Sequence, residues 1–286
     1  MSNEALAPNP PTDAPQELPK VVEFKNVTKT YSPGTPRAYT AIKDVSFTVD
    51  DLPGVGELIA VLGPSGCGKS TVLRLIAGLE PQHPATSGEV LVQGKPVTGP
   101  GADRGMVFQE YTAFDNRTVL DNIAFGLECL GVPKPVRHQR ALEWIGKVGL
   151  CPERDAFKYP HQLSGGMRQR VAIARTLILK PRILLMDEPF GALDPMTRLR
   201  MQDLLIDLWK CAEATVFFVT HSIEEAVFLG DRIYIFSSAP GTIIEEIHAP
   251  RQKLPAVEAQ ALPEFAERVR YIREKIAKME SDAGVL

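Results

Sequence analysis

The segment GPSGCGKS, residues 63–70, restricts the possible folds of this chain more than any other feature. It matches the pattern G-x-x-x-x-G-K-[ST], in which the glycines let the backbone wrap around an anion and the lysine neutralises phosphate charge. A short apolar run, ELIAVLG, leads into it, and STVLRLIAGL follows with its apolar residues at helical spacing. A strand, a glycine-rich turn and a helix in this order predict a phosphate-binding loop at the edge of an α/β sheet.

The rest of the chain alternates between strand-like and helix-like segments. VVEFKNVTKTY and AIKDVSFTV have strand patterns, EVLVQGKPV indicates a strand pair, and RGMVF indicates a short buried strand. Further on, the strands RILLM, TVFFVT and RIYIFS alternate with the helices GGMRQRVAIARTLIL, PMTRLRMQDLLIDLWKCA and IEEAVFLG. This alternation predicts a mostly parallel sheet covered by helices.

Three regions depart from the alternation. Residues 1–20 are rich in proline and poor in large apolar residues, which predicts a disordered tail. Residues from about 111 to 162 contain TVLDNIAFGLECLGV and RHQRALEWIGKVGL around a proline-rich break, which predicts a helical insertion. The C-terminal LPEFAERVRYIREKIAKME predicts one charged amphipathic helix, which would pack on its own domain, meet a second chain or bind a regulator.

The composition excludes several classes of protein. With 44% hydrophobic residues, 23% charged residues and a net charge of −3, the chain is typical of globular proteins and lacks the basic surplus of dedicated nucleic-acid binders. No apolar run approaches the roughly 20 residues that span a bilayer, and the N-terminus lacks the pattern of a signal peptide. Cys67, Cys129, Cys151 and Cys211 have neither metal-site nor disulfide-framework spacing. We expect a reduced cytosolic compartment, with any membrane link made through a partner.

Polar side chains follow several of the predicted strands at the point where each ends. In open α/β sheets ligands bind outside these carboxyl ends, so these side chains and the phosphate-binding loop should share one edge. Lys69 would neutralise β/γ-phosphate charge, while Ser70 and Asp187 would hold Mg²⁺. Glu188 would direct the attacking water as general base. Gln109 would contact the metal or that water, and His221 would hydrogen-bond the γ-phosphate.

At this point the sequence resembles the nucleotide-binding subunit of an ABC transporter, over nearly all of residues 21–247. The matching segments, in the order usual for the family, are GPSGCGKST, VFQE, LSGGMRQR, ILLMDEP, GALD and VTHSIEEA. The resemblance implies a P-loop NTPase (RecA-like) core with a mostly parallel sheet, an antiparallel β subdomain and an α-helical subdomain. It also implies an ATPase domain over 21–248 and a C-terminal extension over 249–286 with one helix.

The resemblance implies a site shared between two chains. In such pairs, two ATP molecules lie between the subunits, and the phosphate-binding loop of one chain faces LSGGMRQR of the other. Tyr31 would stack on the adenine, with Tyr39 as a weaker candidate. The implied ATP-binding residues of this chain are Tyr31, Gly63, Pro64, Ser65, Gly66, Cys67, Gly68, Lys69, Ser70, Thr71, Gln109, Ser164, Gly165, Gly166 and Asp194. The implied metal ligands are Ser70, Gln109 and Asp187, and the implied catalytic residues are Glu188, His221 and Lys69.

Within the superfamily, EEAVFLGDRIYIFSSAPGTI is similar to importers for nitrate, sulfonate, taurine and bicarbonate. This implies import of a small anionic solute, ATP and Mg²⁺ as cofactors, and a peripheral location on the cytoplasmic face of the inner membrane. The implied partners are a second ATPase subunit, identical or paralogous, membrane permease subunits and, indirectly, a solute-binding protein; nucleic acid is not among them. The alternatives are a non-transport ABC ATPase, an exporter or lipid-trafficking ATPase, and a small-molecule kinase, which would leave LSGGMRQR without a purpose.

Three residues depart from the family pattern, and one suggests a reactive thiol. Met167 replaces the commonest glutamine of the LSGG motif, while Asn116 and Arg117 lie in a segment expected to touch the membrane partner. Cys67 lies beside Lys69 at a helix start, and both features lower a thiol pKa. We therefore predict that Cys67 is either a nucleotide-protected reactive thiol or an inert packed one.

Overall fold

The computed structural model describes residues 18–51, 54–110, 112–210 and 214–282. In chain order its strands are β1 (Lys20–Tyr31), β2 (Tyr39–Asp50), β3 (Leu58–Leu62), β4 (Ser87–Val92), β5 (Lys95–Pro96), β6 (Arg104–Val107), β7 (Ile183–Asp187), β8 (Thr215–Thr220), β9 (Arg232–Phe236) and β10 (Ile243–His248). The helices are α1 (Lys69–Ala77), α2 (Val119–Cys129), α3 (Lys134–Lys147), α4 (Pro152–Asp155), α5 (Gly165–Leu177), α6 (Pro195–Lys210), α7 (Ile223–Leu229), α8 (Ala256–Ala259) and α9 (Pro263–Asp282).

The main sheet has six strands in the order β10-β9-β3-β8-β7-β6. Every pairing in it is parallel except that of β9 with β10. The mostly parallel sheet predicted from the alternating pattern is therefore confirmed. A second sheet, β2-β1-β4-β5, is antiparallel throughout, as expected for the antiparallel β subdomain.

The residues of β3 show why the main sheet is buried on both faces. All five residues of β3 are buried. Leu58 and Leu62 join the apolar cluster on one face, whereas Ile59 and Val61 join the cluster on the other. Successive side chains of a strand point to opposite faces, so a continuous apolar run fits a strand that is covered on both sides.

Helices α2, α3 and α4 lie between β6 and α5, where the sequence predicts a helical insertion. The Thr118 side chain caps α2 by accepting a hydrogen bond from the Asp121 N–H. The fully buried Asn122 donates from Nδ2 to the carbonyl oxygens of Phe114 and Arg117. The chain before α2 is thus attached to the helix by a buried amide, since a buried polar group needs such partners.

The C-terminal part packs on the same core. Phe265, Val269 and Ile272 of α9 are buried in the apolar cluster that contains α5 and α7. The Tyr271 hydroxyl donates to the Glu245 carboxylate of β10 over 2.6 Å. The predicted C-terminal helix is present and packs on its own domain, whereas β10, α4 and α8 were not predicted.

Two sequence expectations concern residues that the structure does not describe. Most of the predicted N-terminal tail, residues 1–17, lies outside the described ranges, and Lys20 already begins β1. Cys211 lies outside them as well. None of the helices within the described ranges combines the length and apolar character needed to cross a bilayer.

Candidate functional site

The phosphate-binding loop connects β3 to α1 and depends on its glycines. Gly66 and Gly68 have φ angles of 79° and 95°. A residue with a Cβ rarely adopts this left-handed conformation. At Gly68 a Cβ would also lie 2.5 Å from Ile42 Cγ2 and 2.7 Å from the Ala41 carbonyl oxygen. Conformation and space therefore both require glycine at position 68.

Lys69, the first residue of α1, holds a positive charge inside this loop. Its Nζ donates hydrogen bonds to the carbonyl oxygens of Gly63 at 2.7 Å and Pro64 at 2.8 Å. The residue is only 5% exposed. An ammonium group at the N-terminus of a helix, where backbone N–H groups lack partners within the helix, attracts an anion such as phosphate.

A cavity of about 290 Å³ opens beside the loop. Its lining comes from the end of β1, the start of β2, the loop, the first turn of α1 and Glu188. Tyr31 and Tyr39 pair across β1 and β2. The Tyr31 hydroxyl is 3.1 Å from Thr71 Oγ1, and the Tyr39 hydroxyl donates to the Gly66 carbonyl at 2.9 Å. Two aromatic rings thus border the cavity that the phosphate-binding loop forms.

Ser70 and Asp187 meet next to this cavity. Ser70 Oγ donates to Asp187 Oδ1 over 2.7 Å, which joins the first turn of α1 to the end of β7. The Arg74 guanidinium lies 3.6 Å from Asp187 Oδ2, and Asp187 is only 2% exposed. A hydroxyl and a buried carboxylate at this separation supply two hard oxygen ligands, the type that Mg²⁺ prefers.

Glu188 joins the other polar side chains that the sequence places at strand ends. Gln109 Nε2 donates to Glu188 Oε2 over 3.0 Å, and His221 Nδ1 lies 3.6 Å from the same oxygen. The Glu188 φ angle is 46°, a left-handed value that is uncommon for a residue with a side chain. Both partners therefore lie next to the same Glu188 oxygen, and Glu188 also lines the cavity beside the phosphate-binding loop.

The topology explains why these side chains meet. Strands β6, β7 and β8 are neighbours and run parallel, so their carboxyl ends reach the same edge of the sheet. Gln109 follows β6, Asp187 ends β7 opposite Val219 of β8, and His221 follows β8. The shared edge expected from the sequence is present in the structure.

The LSGGMRQR segment does not contribute to the lining of this cavity. Ser164 caps α5, with its Oγ accepting a hydrogen bond from the Met167 N–H at 3.3 Å. Ser164 itself is exposed. Asp194 likewise lies at the start of another helix, α6, where its Oδ1 accepts from the Thr197 N–H at 3.0 Å. The roles of Ser164 and Asp194 toward a nucleotide stay predictions.

Cys67 differs from the expectation of an activated thiol. Its side chain is fully buried in the apolar cluster under the loop. Burial raises the pKa of the thiol, and the nearby Lys69 only partly opposes this effect. The sequence argument for a lowered pKa is therefore wrong, because it considered the neighbouring charge and the helix start without the cost of burying a thiolate.

Two contacts of the site have no counterpart in the sequence interpretation. Arg74 lies next to Asp187. Arg74 follows Ser70 by four residues on a helix, so the two share one face, and this spacing was the sequence signal that Arg74 lies near the predicted metal ligands. Gln169 Nε2 donates to the carbonyl oxygen of Pro189, directly after Glu188. A glutamine among the arginines of MRQR gives no sequence signal that it is fully buried.

Comparisons with known proteins agree with this geometry. Residues 42–191 match the ABC transporter family. An ABC transporter ATP-binding protein of Methanocaldococcus jannaschii is 54% identical over 201 residues, covering 69% of this chain and 73% of that protein. The nitrate import ATP-binding protein NrtD of Synechocystis is 49% identical, covering 72% and 74%. The taurine import ATP-binding protein TauB of Escherichia coli is 48% identical, covering 72% and 78%.

Solved structures give the same result for the fold. The ATP-binding cassette MJ0796, in a dimeric post-hydrolysis state bound to ADP and Pi, has a TM-score of 0.67 and 35% identity, covering 81% of this chain and all of that one. The protein cbiO1 from Clostridium perfringens, part of an ABC transporter complex, has a TM-score of 0.69 and 25% identity, covering 92% and 99%. Together with the phosphate-binding loop and the carboxylates at the end of β7, these matches show that the chain belongs to the ABC transporter family, as an ATP-hydrolysing subunit.

Proposed function

We propose that this chain drives an importer for a small anionic solute and hydrolyses ATP in a site that a second ATPase subunit completes. The observation that carries the proposal is the division of the ATP-binding residues within one chain. The cavity contains the phosphate-binding loop and Glu188, whereas Ser164 lies on a separate exposed helix start. Among the described residues nothing accepts a hydrogen bond from the Gly165 or Gly166 N–H. These free donors fit a γ-phosphate held by a partner chain.

The chemistry follows from the positions of Lys69, Glu188 and His221. Lys69 Nζ, now bound to loop carbonyls, lies where it can turn toward β/γ-phosphate oxygens. Glu188 accepts a proton from water as the water oxygen attacks the γ-phosphorus. The bond to the bridging oxygen breaks, and ADP and phosphate leave. Gln109 holds the Glu188 carboxylate by a hydrogen bond, whereas His221, 3.6 Å from that carboxylate and with 58% of its side chain exposed, is free to reach the γ-phosphate.

Ser70 and Asp187 are the residues that would hold Mg²⁺. Within the described ranges no group of three His, Cys, Asp or Glu side chains forms a metal cage. A site with one hydroxyl and one carboxylate fits Mg²⁺, which usually takes few protein ligands and completes its coordination with water and substrate phosphates. When bound, the ion neutralises charge on the β- and γ-phosphates.

A groove between the sheet and the helical insertion supports docking of a membrane permease subunit. It has a volume of about 430 Å³ and is lined by apolar side chains that include Phe108, Phe114 and Phe125. Phe108 and Phe114, each 38% exposed, lie together in this groove, and clustered exposed apolar side chains mark sites of protein interaction. Arg117, one of the departures from the family pattern, stacks on Phe125 at 4.8 Å. Docking there would hold the chain at the cytoplasmic face of the membrane.

The nature of the solute is proposed from the relatives. The names of two similar proteins specify nitrate and taurine import, and both solutes carry an anionic group. The solute is bound by the permease and a solute-binding protein in this proposal, so no residue of this chain selects it.

Glu188→Gln tests the proposed catalytic role. The amide keeps the size of the side chain but cannot accept the proton, so we expect unchanged ATP affinity and a loss of steady-state ATPase activity of at least about 100-fold. ATP should also hold the variant as a dimer in size-exclusion chromatography, because hydrolysis no longer opens it. Normal turnover by Glu188→Gln would remove Glu188 from its role.

A second experiment tests the shared site. The specific ATPase activity of the wild-type chain should rise with protein concentration, because a monomer has only half of each site. Mixing Lys69→Ala chains with Ser164→Arg chains should restore activity, since one mixed site then contains an intact loop and an intact Ser164. Activity that is independent of concentration, or mixtures that stay inactive, would contradict the proposal.

A further inference from the structure

Gln169 makes a contact that the ATPase chemistry described above does not use. It lies in α5, five residues after Ser164, or about 7.5 Å along the helix axis. Its side chain is fully buried. Its Nε2 donates a hydrogen bond to the carbonyl oxygen of Pro189, the residue directly after Glu188. The helix that begins at Ser164 is thus bound to the peptide next to the general base.

The hydrogen-bonding capacity of the buried Gln169 amide is only partly used. Its Oε1 is buried and has no hydrogen-bond partner among the described residues. An unpaired buried polar atom lowers stability, because it loses its hydrogen bonds to water without replacement. A methionine would fill nearly the same volume without that cost. The amide therefore keeps an energetic penalty while its Nε2 donates to the Pro189 carbonyl, next to Glu188.

The residue before Pro189, Glu188, has an uncommon backbone conformation. Its φ angle is 46°, a left-handed value that is unfavourable for a residue other than glycine. Such a conformation persists only when its surroundings impose it. The Glu188 N–H donates to the Val219 carbonyl at 3.1 Å, and the Glu188 carbonyl accepts from the Gly191 N–H at 3.2 Å. Gln169 Nε2 donates to the next carbonyl in the sequence, that of Pro189.

We propose that Gln169 is a positioning residue for Glu188 of its own chain. By holding the Pro189 carbonyl, it keeps the left-handed Glu188 backbone in place and the carboxylate between Gln109 and His221. The inference rests on the proposed function, because it takes Glu188 as the general base and α5 as a helix that serves two ATP sites. Its first turn serves the ATP bound by the partner chain, and Gln169 serves the general base that this chain keeps for its own ATP.

Gln169→Met tests this assignment in the full-length protein. Without the hydrogen bond to the Pro189 carbonyl the backbone at Glu188 can relax, and a displacement of about 1 Å at a reacting group lowers the rate by up to about 100-fold. We expect kcat to fall about 10- to 100-fold and the KM for ATP to change less than about twofold, because the phosphate-binding loop is untouched.

Gln202→Met is the matched control. Gln202 is also buried, at 1% exposure, and its Oε1 also has no hydrogen-bond partner among the described residues, but it lies in α6 and not in α5. We expect this variant to keep wild-type kcat. Equal kcat in Gln169→Met and the wild-type chain, or equal losses in both glutamine variants, would overturn the inference.

Mixed dimers separate an effect on the own-chain glutamate from an effect on the partner site. One chain of the dimer carries Glu188→Gln, so a single active site remains, with the loop and Glu188 of the other chain. Gln169→Met in the chain with the intact Glu188 should lower single-turnover hydrolysis about as much as in the homodimer. Gln169→Met in the Glu188→Gln chain should leave it unchanged. The reverse pattern would show that Gln169 acts through Ser164 on the partner site and would refute the proposal.

The two proposals fail in different ways. A wild-type chain that neither dimerises with ATP nor hydrolyses it would remove the proposed function. An active wild-type dimer with a normal Gln169→Met variant would remove only the role of Gln169.

Discussion

Asp155 offers the sharpest test of how the structure holds the helical insertion together. Its carboxylate is completely buried and accepts hydrogen bonds from Arg154 Nε at 3.0 Å, from Lys158 Nζ at 2.7 Å and from the Cys151 N–H at 3.0 Å. The contact with Arg154, followed by that with Lys158, holds the pKa of Asp155 well below its usual range. Asp155→Asn keeps the size of the side chain and removes its charge.

The magnitude follows from the exposure of the partners. A hydrogen bond to a charged group contributes about 1.5–3 kcal/mol to stability. Arg154 and Lys158 are 69% and 32% exposed, so when the Asp155 charge is removed water can hydrogen-bond to them and offset part of the lost stability. The hydrogen bond from the Cys151 N–H can be retained by the asparagine oxygen. We therefore expect Asp155→Asn to lower the free energy of unfolding by about 2–3 kcal/mol at pH 7.

The effect should depend on pH in one direction. Because the folded-state pKa is lowered, the stabilisation is complete above the unfolded-state value of about 3.9 and is lost as the pH falls below it. The gap in urea-unfolding free energy between the wild type and Asp155→Asn should therefore be constant near pH 5 and should begin to narrow as the pH falls past about 3.9 to pH 3, without closing, because the folded-state pKa lies well below its usual range.

Asp207→Asn provides the control, because Asp207 is 73% exposed and pairs with Lys210 on the surface. We expect less than about 0.5 kcal/mol from it at any pH in this range. A difference between the wild type and Asp155→Asn that stays constant with pH, or that equals the effect of Asp207→Asn, would refute the electrostatic argument.

Three further predictions address other parts of the molecule. Gly68→Ala should abolish binding of a fluorescent ATP analogue in titrations, because its Cβ would lie 2.5 Å from Ile42 Cγ2 at a φ of 95°; wild-type affinity would contradict this. Maleimide should label Cys67 at least about 10-fold more slowly than the exposed Cys129, as followed by mass spectrometry, because burial raises the Cys67 pKa and blocks access. Burial also raises the pKa of Tyr234 to about 12, so the wild type should lose roughly 3 kcal/mol of stability between the unfolded-state value near 10 and that pH. Tyr234→Phe should lose less over the same alkaline range, and parallel pH curves would oppose the assignment.

The strands and helices of the core could be predicted because their residues carry a strong local pattern. The run from Leu58 to Leu62 is apolar at every position, and the structure buries it on both faces of the sheet. The order of the motifs also sufficed for the family and its ATPase activity, which the comparisons confirm. The domain boundaries and the roles of individual site residues stay predictions.

The elements that were not predicted are those with weak local patterns. The strand β10 reads IIEEIH, with half-exposed and exposed residues in alternation, because it is the antiparallel edge of the main sheet. Helices α4 and α8 have four residues each, too few for a helical period to be recognised. Such segments take their conformation from packing against the core more than from their own sequence.

By itself the sequence determined the phosphate-binding loop, the α/β fold and the set of polar groups at the ends of the strands. These follow from spacing along the chain, since the geometry of a turn, a strand or a helix start depends on adjacent residues. Only the tertiary structure decided which of those groups touch. It placed Gln109 and His221 on one oxygen of Glu188, tied Gln169 to the next peptide, and buried the Cys67 thiol. Hydrogen bonding and desolvation depend on neighbours that are distant in the chain, and a local pattern does not contain them.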